Sequence, residues 1–513
     1  MTETRAGWRL TAPEFLQFLD GSVSMHLRRT EQVLGYPVYF LDLSGWKLRF
    51  SDRTPFICVS AEDAAALSPR ELSQSLLDAV QARDLIERNP IVLLDGPGQE
   101  LQAAFRSSFQ PLLVLDRDAQ DRVRNSRRPS AELLENLCAQ TDLSLLVPYE
   151  TSKPVTGSRF FGREAEVRRI VASTDGNFAI MGIRRIGKTS LMREIERQLR
   201  DQAHERDDHD AMARLIFIDC SALRSPADFV QEVVRRLRPQ ELSRLGNKQY
   251  PIYFPDFLHR MAQRYGGPLF FFLDEFDRVL TWQREDDTLL NALRASSIQD
   301  DSRYVIGGFR DVMKAFSDLE SPLYNFARPV RLKEFTYEQT AAMVTGPLEK
   351  LCVRFERRTD VINRVYNETA AQPNLIQFYC SILVERLDRR NTRIITPDSL
   401  NGVYTNEDFR AFILSTFMDN TTNLEKAAVF AVVAASGQSD PFTVEHVDQL
   451  LEGRGIQVPL SDLDRTCRNL ELAGTLTARG RHYRFTTPIF PHLLRENYDV
   501  EYLFRKILQE GIW

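Results

Sequence analysis

The feature that most constrains this sequence is an eight-residue motif built from two glycines, a lysine and a threonine. It reads Gly-Ile-Arg-Arg-Ile-Gly-Lys-Thr over residues 182–189 and matches the pattern G-x-x-x-x-G-K-[ST] in full. An apolar run, AIMGI, leads into the motif, and a run of good helix formers, SLMREIERQL, follows it. This context predicts a strand, a phosphate-binding loop (P-loop) and a helix, in that order.

Each residue type in the motif has a role in holding the phosphates of a nucleotide. Glycines let the backbone curl so that several N–H groups point at one phosphate, and the following helix adds its positive dipole end. Lys188 supplies charge for the β- and γ-phosphates, and the Thr189 hydroxyl can ligate Mg²⁺. The motif alone does not decide whether Arg184 or Arg185 contacts phosphate. The predicted phosphate-side residues are Gly182, Arg184, Arg185, Ile186, Gly187, Lys188, Thr189 and Ser190.

A second apolar run, LFFFLDE over residues 269–275, ends in two carboxylates. Ligands bind at the carboxyl ends of strands in open α/β sheets, so these side chains are expected to face the phosphates. Asp274 is predicted to hold the magnesium ion, and Glu275 to orient or deprotonate the attacking water. Asp277 is either a further carboxylate of this cluster or a surface residue.

The rest of the chain indicates four units and a soluble protein. With 513 residues the chain exceeds one ordinary domain, and its net charge of −5 does not favour a protein that coats nucleic acid. No run of about 18 apolar residues exists, which excludes a transmembrane helix, and the N-terminus lacks the apolar stretch of a secretory signal. The six cysteines stand singly, so we expect reduced core thiols in a cytoplasmic protein.

The four units differ in the pattern of their apolar residues. Residues 1–150 alternate short apolar runs with amphipathic stretches, which predicts an α/β unit with a largely parallel sheet. The stretch 147–159 reads as a linker, and 156–335 contains five candidate strands. Residues 336–405 look helical only. In 406–513, three helices precede a short hairpin, the order of a winged helix. The five candidate strands are 177–183, 214–220, 269–275, 303–309 and 329–335.

Four segments stand in a fixed order around these motifs. They are Phe160-Phe161-Gly162-Arg163-Glu164, the double-arginine loop, Ser321-Pro322-Leu323-Tyr324-Asn325-Phe326, and Gln372-Pro373-Asn374-Leu375-Ile376-Gln377. Together they resemble STAND-type ATPases of the AAA-related branch with archaeal and bacterial members, over about two-thirds of the chain. In that branch the first segment packs beside adenine. The resemblance therefore adds Phe161, Gly162, Arg163 and Pro373 to the predicted cofactor contacts.

The resemblance implies a fold class and a function. The fold is an α/β P-loop NTPase with a five-stranded parallel sheet, the P-loop strand central, a helical lid, a winged helix and a separate N-terminal α/β domain. Members bind ATP with Mg²⁺, hydrolyse it slowly and change conformation and assembly, which implies self-association or a protein partner. The sequence departs from the pattern at Gly307-Gly308, where many relatives carry a polar sensor residue, and at Ala371, where the lid box has glycine.

Other residues have competing interpretations. Arg310 either meets the γ-phosphate in cis, acts in trans as an arginine finger, or forms a salt bridge with a lid carboxylate. In the N-terminal unit, Asp95, Asp116 and Asp118 are either a carboxylate cluster or turn residues.

The resemblance favours a signalling switch, in which the bound nucleotide controls conformation and assembly. Two alternative functions remain. The hairpin carries Arg479, Arg481, His482 and Arg484, which either lie on DNA phosphate or are solvated. The alternative to a switch is therefore a DNA-associated ATPase that uses this hairpin. A nucleotide-stabilised scaffold with negligible turnover is the third.

Overall fold

The computed structural model describes residues 12–511 with short gaps, and two five-stranded sheets and a helical C-terminal part organise them. No helix in this described part of the chain is long and apolar enough to cross a membrane. The described ranges are 12–23, 25–50, 53–83, 85, 89–106, 112–173, 175–244, 250–282, 287–435 and 441–511.

The N-terminal unit is a five-stranded sheet in the order β1-β2-β3-β4-β5, with helices packed on both of its faces. Every residue of β3 and β4 is buried as a result. The strands are β1 His26–Val33, β2 Tyr36–Asp42, β3 Thr54–Val59, β4 Ile91–Leu94 and β5 Leu113–Leu115. The helices are α1 Ala12–Val23, α2 Ala61–Ala66, α3 Pro69–Ala82, α4 Gln99–Arg106, α5 Arg117–Asn125 and α6 Pro129–Cys138.

The prediction of a largely parallel N-terminal sheet is wrong for two of its four pairings. The β1–β2 and β2–β3 pairs are antiparallel, whereas β3–β4 and β4–β5 are parallel. Strand β1, HLRRTEQV, carries no apolar alternation, so its sequence did not reveal it. It turns into β2 through Leu34 and Gly35, whose φ angles of 47° and 89° suit a tight two-residue hairpin.

The second sheet has five strands, all parallel, in the order β10-β6-β9-β8-β7, as predicted for the P-loop core. The strands are β6 Phe178–Met181, β7 Leu215–Asp219, β8 Leu269–Asp274, β9 Ser302–Gly308 and β10 Arg328–Arg331. The helices are α7 Glu164–Val171, α8 Lys188–Glu205, α9 His209–Ala213, α10 Pro226–Leu237, α11 Tyr250–Arg264, α12 Asp277–Trp282, α13 Thr288–Ile298 and α14 Arg310–Ser317.

The expectation that the P-loop strand is central needs a correction. Strand β6 lies second from the edge, between β10 and β9, and the sensor strand β9 holds the middle position. The P-loop after β6 and the carboxylates after β8 are therefore separated by the end of β9. What stands at the end of β9 decides whether the two can meet.

The lid consists of three helices and a small strand pair that the sequence did not predict. The helices are α15 Tyr337–Lys350, α16 Arg358–Glu368 and α17 Pro373–Arg389. The helical-only reading of 336–405 is wrong in one detail, because strand β11 Arg354–Phe355 pairs in parallel with β12 Ile394–Ile395.

The C-terminal part contains six helices and one antiparallel hairpin. Helices α19–α21 followed by the hairpin are the element order behind the winged-helix assignment, which stays a prediction. Phe442 adds a single bridge to Tyr483 of the hairpin. The elements are α18 Glu407–Asn420, α19 Asn423–Ala435, α20 Val444–Glu452, α21 Leu460–Leu472, β13 Leu476–Arg479, β14 His482–Phe485, α22 Phe490–Asn497 and α23 Val500–Glu510.

One continuous apolar core joins the N-terminal sheet, the lid and the C-terminal helices. Phe56, Tyr379 and Phe430, one from each of these parts, are fully buried in it. Hydrogen bonds cross the same boundary, because the Asp388 carboxylate accepts from the backbone N–H of Leu143 at 2.9 Å. Of the cysteines, five are buried as expected, but Cys352 is exposed.

Candidate nucleotide-binding site

Two positions of the P-loop need glycine for physical reasons. Gly187 has a φ of 102°, a left-handed conformation that an L side chain rarely adopts, directly before α8 begins at Lys188. A Cβ at Gly182 would lie 2.8 Å from Cγ2 of Ile186. Arg185 also has a positive φ, of 69°, so the loop carries backbone strain at a residue with a side chain.

Lys188 is buried in the loop with only 6% of its surface exposed. Its Nζ donates to the carbonyl oxygens of Gly182 at 3.0 Å and Ile183 at 3.1 Å. Burial lowers the pKa of this ammonium, and the nearby Glu275 and Asp274 oppose that shift. A buried cation held mainly by neutral carbonyls favours an anionic ligand, because burying a charge is costly unless it is paired.

Thr189 and Asp274 meet at the ends of α8 and β8. The Thr189 hydroxyl donates to Oδ2 of Asp274 at 2.5 Å, and the Glu275 N–H donates to Oδ1 at 3.1 Å. Burial raises the pKa of Asp274, while the Thr189 hydrogen bond lowers it. A hydroxyl and a carboxylate side by side form a set of hard oxygen donors, which fits Mg²⁺.

Glu275 follows directly and is half-buried. Its φ of 50° places it in the left-handed region, an uncommon conformation for glutamate and one that clusters at functional sites. Burial raises the pKa of its carboxyl, which Lys188 partly opposes. A carboxylate with a raised pKa is a better proton acceptor than an ordinary surface glutamate.

The glycine pair that ends β9 makes room for carboxylates. A Cβ at Gly307 would lie 2.9 Å from Oδ1 of Asp274 and 2.6 Å from Sδ of Met192. A Cβ at Gly308 would lie 2.8 Å from Oδ2 of Asp277. The carboxylates of Asp274 and Asp277 therefore lie against the glycine pair, and a side chain at either glycine would crowd them.

Asp277 is neither a further carboxylate of the cluster with Asp274 and Glu275 nor a free surface residue. Its Oδ2 accepts from the Phe309 N–H at 2.6 Å, and its Oδ1 accepts from the N–H groups of Asp311 and Val312 at 3.0 and 3.1 Å. These N–H groups lie at the start of α14, so the Asp277 carboxylate caps that helix. It ties that helix to the strand that carries Asp274.

The P-loop opens into a cavity of about 400 Å³, a size typical of ligand pockets. The cavity has an apolar wall, made of Phe161, Phe335, Met343, Pro373 and Phe412. Gly162, Gly182, Asp274 and Arg310 do not line the cavity. The predicted site residues that do are Phe161, Arg163, Arg184, Arg185, Ile186, Gly187, Lys188, Thr189, Ser190, Glu275 and Pro373.

Gly162 and Arg163 shape the apolar wall through Phe335. A Cβ at Gly162, whose φ is 76°, would lie 2.8 Å from Cζ of Phe335, so only glycine lets the ring pack there. The guanidinium of Arg163 lies 5.0 Å from the centroid of the same ring and donates to the carbonyl of Lys333. The Gly162 carbonyl accepts from Gln339 at 2.6 Å.

The stretch predicted as a linker, 147–159, is tied to the site. The Glu150 N–H donates to Oε1 of Gln377 in the lid at 2.9 Å, and the Val155 N–H donates to Oγ of Ser190 at 3.1 Å. Residues 150–155 line the cavity. The linker interpretation fits the irregular backbone but misses that this segment is a wall of the site.

Arg310 does not reach the cavity, and its partner is not a lid carboxylate. Its guanidinium forms a bidentate pair with Glu425 of α19, with Nη1–Oε1 at 2.7 Å and Nη2–Oε2 at 2.9 Å. Nη2 also donates to the Asn420 carbonyl at 2.9 Å. The salt-bridge reading is right in kind, but the carboxylate lies beyond the predicted lid.

Both loop arginines contact α18. The Arg185 side chain donates to the hydroxyls of Thr416 at 2.7 Å and Ser415 at 3.0 Å, and its guanidinium lies 4.3 Å from the ring centroid of Phe412. The Arg184 N–H donates to Oδ1 of Asn420 at 2.9 Å. Sequence reasoning missed these α18 residues, because no local motif marks residues that meet the loop only after folding.

The remaining charged candidates divide clearly. In the N-terminal unit, Asp95 pairs with Arg117 at 2.6 Å, and Asp116 accepts from the Ala119 and Gly98 N–H groups. They are turn and capping residues rather than a cluster, and Asp118 lies in the first turn of α5. On the hairpin, the four basic residues are all exposed, namely Arg479, Arg481, His482 and Arg484.

Comparisons with known proteins give one family match and several similar solved structures. Residues 148–403 match the family described as "Novel STAND NTPase 1". The ORC2 protein of Aeropyrum pernix, solved in ADPNP–ADP complexes, shares 11% identity over 71% of this chain and 98% of its own, with a TM-score of 0.51. The Walker-type ATPase PABY2304 of Pyrococcus abyssi shares 17% identity over 68% and 100%, with a TM-score of 0.49. No curated protein matches the chain.

The matched residues 148–403 include the P-loop, the paired carboxylates and the lid helices α15–α17. The likeness to the Aeropyrum structure, at 11% identity, supports the fold alone. Residues 148–403 of this chain therefore form a STAND-type P-loop NTPase unit.

Proposed function

We propose that this protein binds ATP with Mg²⁺ in the P-loop cavity and uses the nucleotide to switch how its C-terminal part packs on the NTPase core. One observation carries the proposal. The corner between α18 and α19 binds two elements of the NTPase core at once, the P-loop through the Arg184 N–H and the start of α14 through Arg310. A ligand that changes either contact changes the packing of α18 and α19.

In this proposal the chain's own groups divide the work of binding. Lys188 turns from the carbonyls of the loop to the phosphates, and the loop N–H groups do the same. Thr189 and Asp274 would hold Mg²⁺, which supplies charge neutralisation at the phosphates. Glu275 holds the water that attacks and accepts its proton. The apolar wall around Phe161 and Pro373 receives the base.

The switch follows from competition for donors. The Arg184 N–H belongs to a loop whose N–H groups bind phosphate, yet here it donates to the side chain of Asn420. Phosphate oxygens are stronger acceptors than a neutral amide, so ATP would take this donor from Asn420. A ligand shifts a conformational equilibrium only through such differential contacts.

Sedimentation velocity of the purified protein, with and without ATP and Mg²⁺, tests the switch directly. We expect the wild type to change its sedimentation coefficient or its mass with ATP, and Lys188→Ala to stay in the ATP-free form. A wild type that binds ATP and shows neither a new shape nor a new mass contradicts the proposal.

Steady-state ATP turnover separates a slow ATPase from a scaffold. We expect the wild type to release phosphate and Glu275→Gln to lose that activity while it still binds ATP. Equal rates for both proteins support the scaffold, since Glu275 would then have no chemical role.

A DNA-associated ATPase is the second candidate, and the exposed basic hairpin favours it. Fluorescence anisotropy of labelled duplex DNA with the full chain, across salt concentrations, tests this. Micromolar or tighter binding with a steep salt slope that Arg481→Ala reduces supports DNA contact. DNA binding that is absent or independent of salt argues against a DNA-associated ATPase and favours the nucleotide-driven switch.

A further inference from the structure

A short segment of the N-terminal unit, residues 44–50, contacts the Phe160-Phe161 pair that lines the cavity. Lys47 Nζ donates to the carbonyl of Phe160 at 2.9 Å and lies 5.5 Å from the ring centroid of Phe161. The Ser158 hydroxyl donates back to the Phe50 carbonyl at 2.8 Å. Both residues of the Phe160-Phe161 pair line the cavity, whereas Lys47 does not.

The local fold of this segment holds Lys47 in place. The 3₁₀ turn Ser44–Trp46 is fixed by Asp42, whose Oδ1 accepts from the Ser44 N–H at 2.9 Å and its hydroxyl at 2.6 Å. The Lys47 N–H closes the turn onto the Ser44 carbonyl at 3.1 Å, with φ at 55°. A left-handed residue that is not glycine is kept only where the surroundings enforce it, so this turn aims the lysine at the Phe160-Phe161 pair.

A second lysine holds the same segment from the lid. Lys350, at the end of α15, donates to the Trp46 carbonyl at 2.7 Å. Burial and the neighbouring charge of Lys47 lower the pKa of this ammonium, so the two cations are close. Lys350 thus docks the segment on the lid, and Lys47 contacts the Phe160-Phe161 pair in the wall of the cavity.

We propose that Lys47 is a positioning residue for the nucleobase of the bound nucleotide. It fixes Phe161 against the cavity from a unit that precedes the matched NTPase region, so the affinity for the base depends on the N-terminal unit. The phosphates, which contact the P-loop on the other side of the cavity, do not depend on it. The inference rests on the proposed function, since it concerns how that same cavity holds ATP.

Isothermal titration of the full chain with two probes tests this, in the presence of Mg²⁺. ATP carries the base, and inorganic tripolyphosphate carries three phosphates without it. The variant Lys47→Met removes the charge and donor but keeps the stem, and Lys47→Arg restores a donor. Neither substitution introduces glycine, so the left-handed backbone is equally strained in both. Lys350→Met is the matched control, because it loosens the same segment without contact to Phe160 or Phe161.

We expect Lys47→Met to weaken ATP binding about 3- to 10-fold, less than the full worth of the lost charge-assisted hydrogen bond and cation–π contact, because Lys47 acts on the base only through Phe161. The variant should bind tripolyphosphate like the wild type. Lys47→Arg should bind ATP within about twofold of the wild type, because it keeps the charge. Lys350→Met should lose clearly less ATP affinity than Lys47→Met, because it leaves the contacts of Lys47 with Phe160 and Phe161 in place, and should bind tripolyphosphate like the wild type.

Three results would overturn the inference. They are unchanged ATP affinity in Lys47→Met, an equal loss for ATP and tripolyphosphate, or an equal loss of ATP affinity in Lys350→Met. A wild type that binds tripolyphosphate but not ATP refutes the proposed function itself, and the two failures are therefore distinct.

Discussion

The ion pair between Arg310 and Glu425 gives the sharpest test of how the C-terminal part is held. Only 1% of Glu425 is exposed, and both of its carboxylate oxygens accept from the Arg310 guanidinium, at 2.7 and 2.9 Å. Oε2 also accepts from the Thr422 N–H at 2.9 Å. The variant Glu425→Gln has nearly the same shape and can still accept from that N–H. It therefore removes the charge with little change in packing.

The magnitude follows from what the substitution removes. A hydrogen bond to a charged group contributes about 1.5–3 kcal/mol, and a neutral one about 1 kcal/mol. The amide oxygen of glutamine can still accept one bond from the guanidinium, so one charge-assisted bond is lost, while the cost of burying the carboxylate is relieved. We therefore expect the packing of α18 and α19 on the NTPase core to lose about 1–2 kcal/mol of stability. If ATP binding requires this contact to open, the affinity for ATP rises about 5- to 30-fold.

Titration calorimetry of ATP into the full chain measures this change, and sedimentation velocity without ATP reports the shape. Glu496→Gln is the matched control in the same part of the chain. Its carboxylate pairs with Arg410 at 3.8 Å on the surface, where ion pairs contribute little. The control should bind ATP like the wild type.

An unchanged or weaker ATP affinity in Glu425→Gln would refute the reasoning. It would mean that the pair survives in the ATP-bound form, so that it holds the two parts together but does not oppose the nucleotide. If the ATP affinity does not rise but the sedimentation coefficient without ATP changes, the pair stabilises the packing of the C-terminal part and is not coupled to ATP binding.

Four further predictions follow from the site. Lys188→Ala should abolish ATP binding measured by calorimetry, because it removes the charge that neutralises the phosphates; retained tight binding would contradict the site assignment. The acid limb of the pH profile of turnover should lie above pH 4.5, since burial raises the pKa of Glu275 from that value and the basic form is lost as pH falls through the raised pKa; a limb at or below 4.5 argues against Glu275 as the base. Gly307→Ala should lower turnover about tenfold or more, because its Cβ would displace the Asp274 carboxylate; a wild-type rate would show that Met192 yields instead. Ala370→Gly should raise the free energy of unfolding by about 0.5–1 kcal/mol, because Ala370 has a φ of 49°; a lower midpoint in thermal unfolding would contradict this.

The parts of the fold that the sequence predicted are those with a local signal. Strands β6 to β9 of the core are short, largely apolar runs, and their observed bounds lie within two residues of the predicted ones. Strand β10 begins one residue before the predicted run and ends four residues earlier. The P-loop is a contiguous motif, so its strand–loop–helix context could be read directly. Strand β1 was missed because it is polar, and its antiparallel pairing is set by the Leu34-Gly35 turn rather than by any apolar pattern.

Sheet order was less accessible than strand position. The position of β6 second from the edge depends on where β10 docks, and its short sequence shows little of this because three of its four residues are exposed. The same order explains the glycines at the end of β9. They looked like a departure from the family pattern, but they lie between the P-loop and the carboxylates and leave room for Asp274 and Asp277.

The site residues that no motif announced are those that come from distant parts of the chain. Lys47 meets Phe160 across 113 residues, and Arg310 meets Glu425 across 115. Neither lysine nor glutamate is unusual where it stands, so local sequence gives no reason to choose it. Both contacts join a separate part of the chain to a motif that was predicted. The motifs therefore locate the chemistry, and the long-range pairs decide which parts of the molecule respond to it.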